Sequence, residues 1–233
     1  MVSAETSDRY TLKSSSRSSH SLLLSLFPGP GNGRRVLDAG CGNGYLAGLI
    51  AKRGYDVTGI ERPGFATAFP ESARLVEADL DQGLPQLDGV FDYVICADVL
   101  EHLRDPAALL RACRRRLAPG GRLIGSLPNS GNLYFRLVVL SGRFPQEDKG
   151  LFDRTHVRFF TWAGWADLLA SAGFEVETVR PTAIPFGLRF PGAENSLPVR
   201  CAEELSYQLA RLRKQLFAYQ FVVTARPAGG ETR

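Results

Sequence analysis

From position 34 onward, short apolar runs alternate with segments whose apolar residues recur every three to four positions. The first rhythm is that of buried strands and the second that of helices packed on a sheet. Strands are predicted over 35–39, 56–61, 74–79, 91–97 and 122–127. Helices are predicted over 45–53, stopped by Gly54, and after Asp105-Pro106, with Leu109, Leu110, Cys113 and Leu117 on the apolar face and Pro119-Gly120-Gly121 at the end. Arg62-Pro63-Gly64 turns the chain before a further helical segment. Asp105 supplies an N-cap carboxylate, Pro106 suits the first helical position, and the arginines of the last turns suit the helix dipole. Strand and helix in strict alternation imply an α/β fold with a mostly parallel sheet and helices on both faces.

Two stretches depart from that rhythm. Residues 1–33 are polar with a serine cluster at 14–19, then carry a short apolar helix pattern at 22–27 that Pro28 to Gly33 stops. They read either as a flap leading into the domain or as a loose terminus plus one packed helix. Residues 129–161 form a long, aromatic connection of mixed charge, with a helix-like run at 133–140, and connections of this length tend to be functional. They are expected to form a lid over an acceptor. Beyond them the pattern predicts a helix over 162–172, a strand over 174–180, a helix over 197–214 and a last strand over 217–225. One domain over 34–226 and a tail at 227–233 complete the organisation.

Composition narrows the class. With 233 residues, 44% hydrophobic and 22% charged, the chain has the make-up of a globular domain with a sizeable core. Its longest apolar runs fall far short of the ~20 residues of a membrane span. The net charge of +4 reflects arginine clusters at 111–116 and 211–214. These lack interleaved aromatics and fall in predicted helices, which indicates solvated faces and no nucleic-acid partner. The four cysteines, Cys41, Cys96, Cys113 and Cys201, form no C-x-x-C pair, and the N-terminus lacks a secretory pattern. Free thiols in the cytoplasm are expected.

The chemistry begins at residues 36–44, VLDAGCGNG, where an apolar run ends in Asp38 and meets Gly40, Gly42 and Gly44. A strand entering a glycine turn and then a helix brings backbone N–H groups against a nucleotide-like ligand. The second strand ends in Glu61 and the third in Asp79. In an open parallel sheet these three acids should line one crevice at the carboxyl ends of the strands. Glu61 is placed to accept both hydroxyls of a ribose and Asp79 to accept from the exocyclic amine of an adenine. Asp38 can order the glycine turn or hold a cationic group. A dehydrogenase reading competes, because residues 42–47 match G-x-G-x-x-A and Glu61 follows at nearly the usual spacing. Asp38 argues against it, standing where a pyrophosphate would need to sit, and so does the additional acid Asp79.

VLDAGCGNG, GIE, EADL, FDYVICADVLEHLRDP and LAPGGRL, in that order, together resemble a class I S-adenosylmethionine-dependent methyltransferase, in the branch with the ubiquinone-biosynthesis O-methyltransferases. The resemblance is dense over 34–127 and thin elsewhere. It implies a Rossmann-like seven-stranded sheet whose last strand returns antiparallel at the sheet edge, and S-adenosylmethionine as cofactor. Asp38, Gly40, Cys41, Gly42 and Gly44 would surround the methionine part, Glu61 with Arg62 the ribose, and Asp79 with Leu80 the adenine. Asp98 and Val99 would close the far side. Methyl transfer from a sulfonium asks the protein to align donor and acceptor and to remove a proton. A small or medium-sized metabolite methylated on oxygen is the expected acceptor, with nitrogen as the lesser option. A cofactor-binding protein without catalysis is the remaining alternative. The chain is expected to work as a monomer or homodimer.

For the acceptor chemistry, three histidines are candidates. His156, in the Thr155-His156 pair that also resembles the ubiquinone branch, could deprotonate a hydroxyl near neutral pH, or could instead pin its loop to the sheet. His102 and, in the flap, His20 are alternatives for the base. In the ubiquinone branch the acids and histidine after the fourth strand can hold a divalent ion. Asp98, Glu101 and His102 would suit zinc better than magnesium, but at a helix start such side chains are expected to bond backbone, so no metal is expected. The run at 133–140 could touch a membrane, yet it holds one arginine and no basic face, which argues against a membrane partner.

Overall fold

The computed structural model describes residues 15–189, 192–193 and 196–229. The first fourteen residues of the expected flap and the last four of the tail lie outside the described residues. In chain order the elements are α1 (Ser19–Leu24), β1 (Arg35–Ala39), α2 (Tyr45–Ala51), β2 (Asp56–Glu61), β3 (Arg74–Glu77), β4 (Phe91–Ala97), α3 (Pro106–Arg116), β5 (Leu117–Pro128), α4 (Leu133–Leu140), α5 (Trp162–Ser171), β6 (Phe174–Pro181), α6 (Phe186–Arg189), α7 (Leu197–Leu212), α8 (Lys214–Phe217) and β7 (Gln220–Pro227). They build one seven-stranded sheet in the order β3-β2-β1-β4-β5-β7-β6.

The two-residue period of the strands sorts their side chains onto two faces. Val36, Ile95, Ile124 and Val222 pack with Leu23 and Phe27 of the N-terminal helical segment and with Leu46 and Ile50 of α2. Their neighbours Leu37, Val94, Cys96, Leu123 and Val223 pack on the other face with Leu109 and Cys113 of α3 and Trp165 and Leu169 of α5. Both sides are therefore closed, as a parallel sheet requires. Trp165 donates from Nε1 to the Pro128 carbonyl at 2.7 Å, which satisfies its N–H inside the core and ties α5 to the end of β5. Cys96 and Cys113 are buried and free, and Cys201 is exposed and free.

Three expectations need correction. The last strand is antiparallel, but it lies between β5 and β6 and not at an edge. The chain reaches β6 through α4, the long connection and α5, leaving room for one strand beside β5. β7 then enters from α8 at the carboxyl end of the sheet and must run downward. No helix follows Gly64: residues 62–73 form turns held by Pro63 and Pro70, and Thr67 N–H donates to Asn43 Oδ1 at 3.0 Å. Proline removes the amide a helix would need. The third correction concerns Pro119-Gly120-Gly121, which forms a bulge inside β5, so that Leu117 pairs with Phe91 and Arg122 with Tyr93.

Candidate active site

The cofactor side is set by backbone conformation. Gly40, Gly42 and Gly44 have φ of 80°, 54° and 72°, the left-handed region that glycine enters at no steric cost. At Gly40 a Cβ would also lie 2.5 Å from Val99 Cγ2, so the turn and Val99, the second residue beyond β4, pack together only because the side chain is missing. Phe69 and Pro70, in the irregular segment, close over Gly44 in the same way. Gly40 and Cys41 both donate to the Ile60 carbonyl, at 2.9 and 3.1 Å, fixing the turn to β2.

Glu61, and not Asp38, bonds the backbone of this turn. Its Oε2 accepts from Gly42 N–H at 2.8 Å and its Oε1 from Arg62 N–H at 2.9 Å. Two backbone donors hold the carboxylate at the end of β2 while lone pairs remain for a diol. Asp38 is buried, and among the described residues its Oδ2 has no hydrogen-bond partner. Burial, and then the neighbouring Glu61 charge, raise its pKa from 3.8 to about 7. A carboxyl held in this way is relieved by a cation. Asp79 is exposed, its Oδ1 capping the turn Leu80–Gln82 by accepting from Asp81 N–H, and Leu80 is buried behind it. The Arg62 guanidinium lies over the Phe65 ring. The strand order β3-β2-β1 puts Asp79, Glu61 and Asp38 side by side, from exposed to buried.

On the other side of the switch point Asp98 adopts φ 51°, which is unusual for a side chain other than glycine. Its Oδ1 accepts from Ser126 Oγ and, at 2.8 Å, from Gln220 Nε2. That oxygen is thus engaged, and the ligand set Asp98, Glu101, His102 is not what the fold assembles. Instead one ligand atom each from Glu101, His102 and His156 lie within 4.8 Å of one another. His156 Nε2 is 3.8 Å from Glu101 Oε1, and the two imidazole centroids are 4.8 Å apart. Glu101 also binds the long connection before α5 through its backbone, its carbonyl accepting from Val157 and Arg158 N–H.

The environment assigns protons. Thr155 Oγ donates to Asp153 Oδ1 at 2.6 Å, so both the hydroxyl oxygen and the carbonyl of Thr155 face His102 Nδ1 as acceptors, each at 3.1 Å. Nδ1 of His102 therefore faces two oxygens that can accept its proton, which ties the ring to Thr155. Desolvation, and then His102, lower the His156 pKa to about 4, so His156 is a neutral imidazole at physiological pH. His20 stands apart from this pair, in the first turn of α1.

Sequence reasoning missed several supporting residues. Gln220 has no local signal, being 122 positions from Asp98. Asn129 and Asn132 do have one, since asparagines flanking a serine-glycine pair before an apolar run mark a helix start. Asn132 Oδ1 caps α4 by accepting from Tyr134 N–H at 2.9 Å.

A sequence profile described as a methyltransferase domain matches residues 13–179. The chain is 34% identical over 154 residues to the ubiquinone biosynthesis O-methyltransferase of Psychrobacter arcticus, covering 61% of this chain and 59% of that one. It is 32% identical over 158 residues to the enzyme of the same description from Pseudomonas aeruginosa strain UCBPP-PA14, covering 63% and 67%. The chain thus spans between about three fifths and two thirds of the length of these relatives. In fold it is similar to an S-adenosylmethionine-dependent methyltransferase from Mesorhizobium loti, with a TM-score of 0.60 at 20% identity over 90% of this chain and 98% of that one. Together with the glycine turn and the row of strand-end acids, the profile match places the chain in the class I S-adenosylmethionine-dependent methyltransferase family.

Proposed function

We propose that this chain transfers the methyl group of S-adenosylmethionine to an oxygen of a small or medium-sized metabolite, with His156 as the proton acceptor. The observation that carries the reading is the unprotonated His156 ring beside the Glu101 carboxylate, at the end of the strand that closes the cofactor crevice. The nearby Asp153 and Asp98 charges favour the imidazolium that forms when the ring takes a proton. Glu61 would hold the ribose, Asp38 the cationic methionine portion, and Asp79 with Leu80 the adenine. The test is incubation with S-adenosylmethionine and a panel of hydroxylated and amino metabolites, reading S-adenosylhomocysteine release. Release with no acceptor in the panel, or binding of NAD without S-adenosylmethionine, would overturn it.

A second reading of the same residues is favoured by the cluster itself. A carboxyl group and two imidazoles, one with its other ring nitrogen against a carbonyl, form a donor set for a zinc-like divalent ion. Bonds of ~2.1 Å place tetrahedral ligand atoms about 3.4 Å apart, so the three side chains would close inward modestly to fit. Such an ion would acidify a hydroxyl bound beside it, which answers the weakness of an imidazole titrating at about 4 as a base. Exhaustive chelation that leaves turnover intact selects the first reading; loss restored by one added metal selects the second.

A further inference from the structure

The residue that leads into β7 reaches the segment that carries His156. Tyr219 has its backbone bonded on both sides: its carbonyl accepts from Asn129 N–H at 3.1 Å, and its N–H donates to the Thr182 carbonyl at 3.3 Å. Asn129 directly follows β5 and Thr182 directly follows β6, so Tyr219 is anchored to the carboxyl end of the sheet. Its ring packs against the cluster of Phe135, Leu151 and Phe152, beside Val138 of α4. A Cβ built on Gly150 would stand 2.7 Å from the Tyr219 hydroxyl oxygen, and Gly150 has φ 96°. The hydroxyl thus fills the space that a side chain would take, at a backbone conformation that glycine adopts readily. Beside it the hydroxyl bonds the backbone of Leu151. Desolvation raises the Tyr219 pKa above its ordinary 10.0, so the hydroxyl stays uncharged.

From Gly150 to His156 the bonded path is continuous. The Gly150 carbonyl accepts from Asp153 N–H at 3.2 Å, and the Asp153 carbonyl accepts from His156 N–H at 3.0 Å. Asp153 is buried, and its Oδ1 accepts from the Thr155 N–H and hydroxyl at 2.8 and 2.6 Å. The backbone of Leu151 also bonds the His156 ring. A backbone contact that favours a charged imidazole is a carbonyl, and one that favours a phenolate is an N–H. Leu151 therefore turns its N–H to Tyr219 and its carbonyl to His156.

We infer that Tyr219 is a positioning residue for methyl transfer: its hydroxyl fixes the Gly150–Leu151 backbone, and that backbone sets which way the His156 ring faces. The inference rests on the reading of His156 as the proton acceptor. A ring with one nitrogen bonded to a carbonyl keeps its proton there and presents the other nitrogen bare, which is the form that takes a proton from an acceptor hydroxyl. Removing the hydroxyl leaves His156 in place but lets its ring exchange nitrogens.

The test compares Tyr219→Phe with Val138→Ala in the full chain. The first removes only the hydroxyl; the second loosens the same aromatic cluster and leaves the hydroxyl where it is. The readout is the nitrogen–proton correlation spectrum of the imidazole rings at one neutral pH, assigned with His156→Ala in a chain of three histidines. A single His156 tautomer is expected in the parent chain and in Val138→Ala, and an average of two in Tyr219→Phe, with S-adenosylmethionine affinity unchanged in both variants. With the panel acceptor that releases most S-adenosylhomocysteine, kcat should fall roughly 10–100-fold in Tyr219→Phe at an unchanged cofactor KM, as for a slightly misplaced reacting group. Adding Tyr219→Phe to His156→Ala should cost nothing further, since the tyrosine acts through the histidine. Mixed tautomers in the parent chain, a parent-like spectrum in Tyr219→Phe, an equal disturbance in Val138→Ala, or a full further loss in the double variant would each overturn the inference. Full turnover in His156→Ala would instead remove His156 as the base, while the ring spectrum still reads whether Tyr219 orients it.

Discussion

The two halves of the crevice are built on different principles. On the proposed cofactor side, most of the features come from β1, β2 and the turn between β1 and α2: glycines with positive φ, acids at strand ends, and backbone donors that hold Glu61. On the acceptor side the decisive contacts join segments some fifty residues apart, His102 with Thr155 and Glu101 with His156, Val157 and Arg158. The first half is preorganised by chain geometry and tolerates little change in side-chain size. The second is an assembly of side chains whose chemistry can be changed while the cofactor crevice stands.

The sharpest trial of this division is His156→Ala. A positioned proton acceptor is worth ~10²–10⁴ in rate, so turnover should fall by that factor while S-adenosylmethionine affinity by calorimetry stays unchanged. If affinity falls as well, the two halves are not separable. Next is Gly40→Ala, which places a methyl 2.5 Å from Val99 Cγ2 at φ 80°. Overpacking and backbone strain together should cost ~2–4 kcal/mol, read as a lowered Tm with loss of cofactor binding. An unaffected Tm would show that the turn is not the rigid half.

Glu61→Gln is gentler. Losing a charged acceptor for Gly42 N–H and for the ribose should weaken cofactor affinity ~10–100-fold. The smallest effect concerns Asp38. The folded chain keeps its proton up to about pH 7, whereas the unfolded chain releases it near 3.8. The folded state therefore binds the extra proton between those values, so the stability of the cofactor-free chain falls as pH rises through that window and levels off above it. Asp38→Asn should flatten this slope in a series of thermal melts. Affinity for a cationic cofactor should rise over the same window, and its independence of pH would remove Asp38 from the methionine side.

How much could be read from the sequence follows the same division. The strands and their facing were legible because period-2 apolar runs and glycine stops act over a few residues, as at Val36, Leu37 and Gly54. The helix expected after Gly64 was not formed, since Pro63 and Pro70 deny it amide donors and Phe69 is drawn onto Gly44 instead. The position of β7 was illegible locally, because strand order depends on which gap the preceding crossover leaves.

The sequence by itself determined the strand, glycine turn and helix from which the proposed cofactor wall is built. Asp38 and the three glycines sit on one strand and its turn, and Glu61, 19 residues from Gly42, meets that turn through the pairing of two adjacent strands. Only the tertiary structure decided that Asp98 is held by Ser126 and Gln220, that His156 joins Glu101 and His102, and that Tyr219 meets the backbone of Gly150 and Leu151. Each of those groupings spans tens to more than a hundred residues. Their proximity is fixed by how helices close the two sheet faces, and no local propensity encodes it.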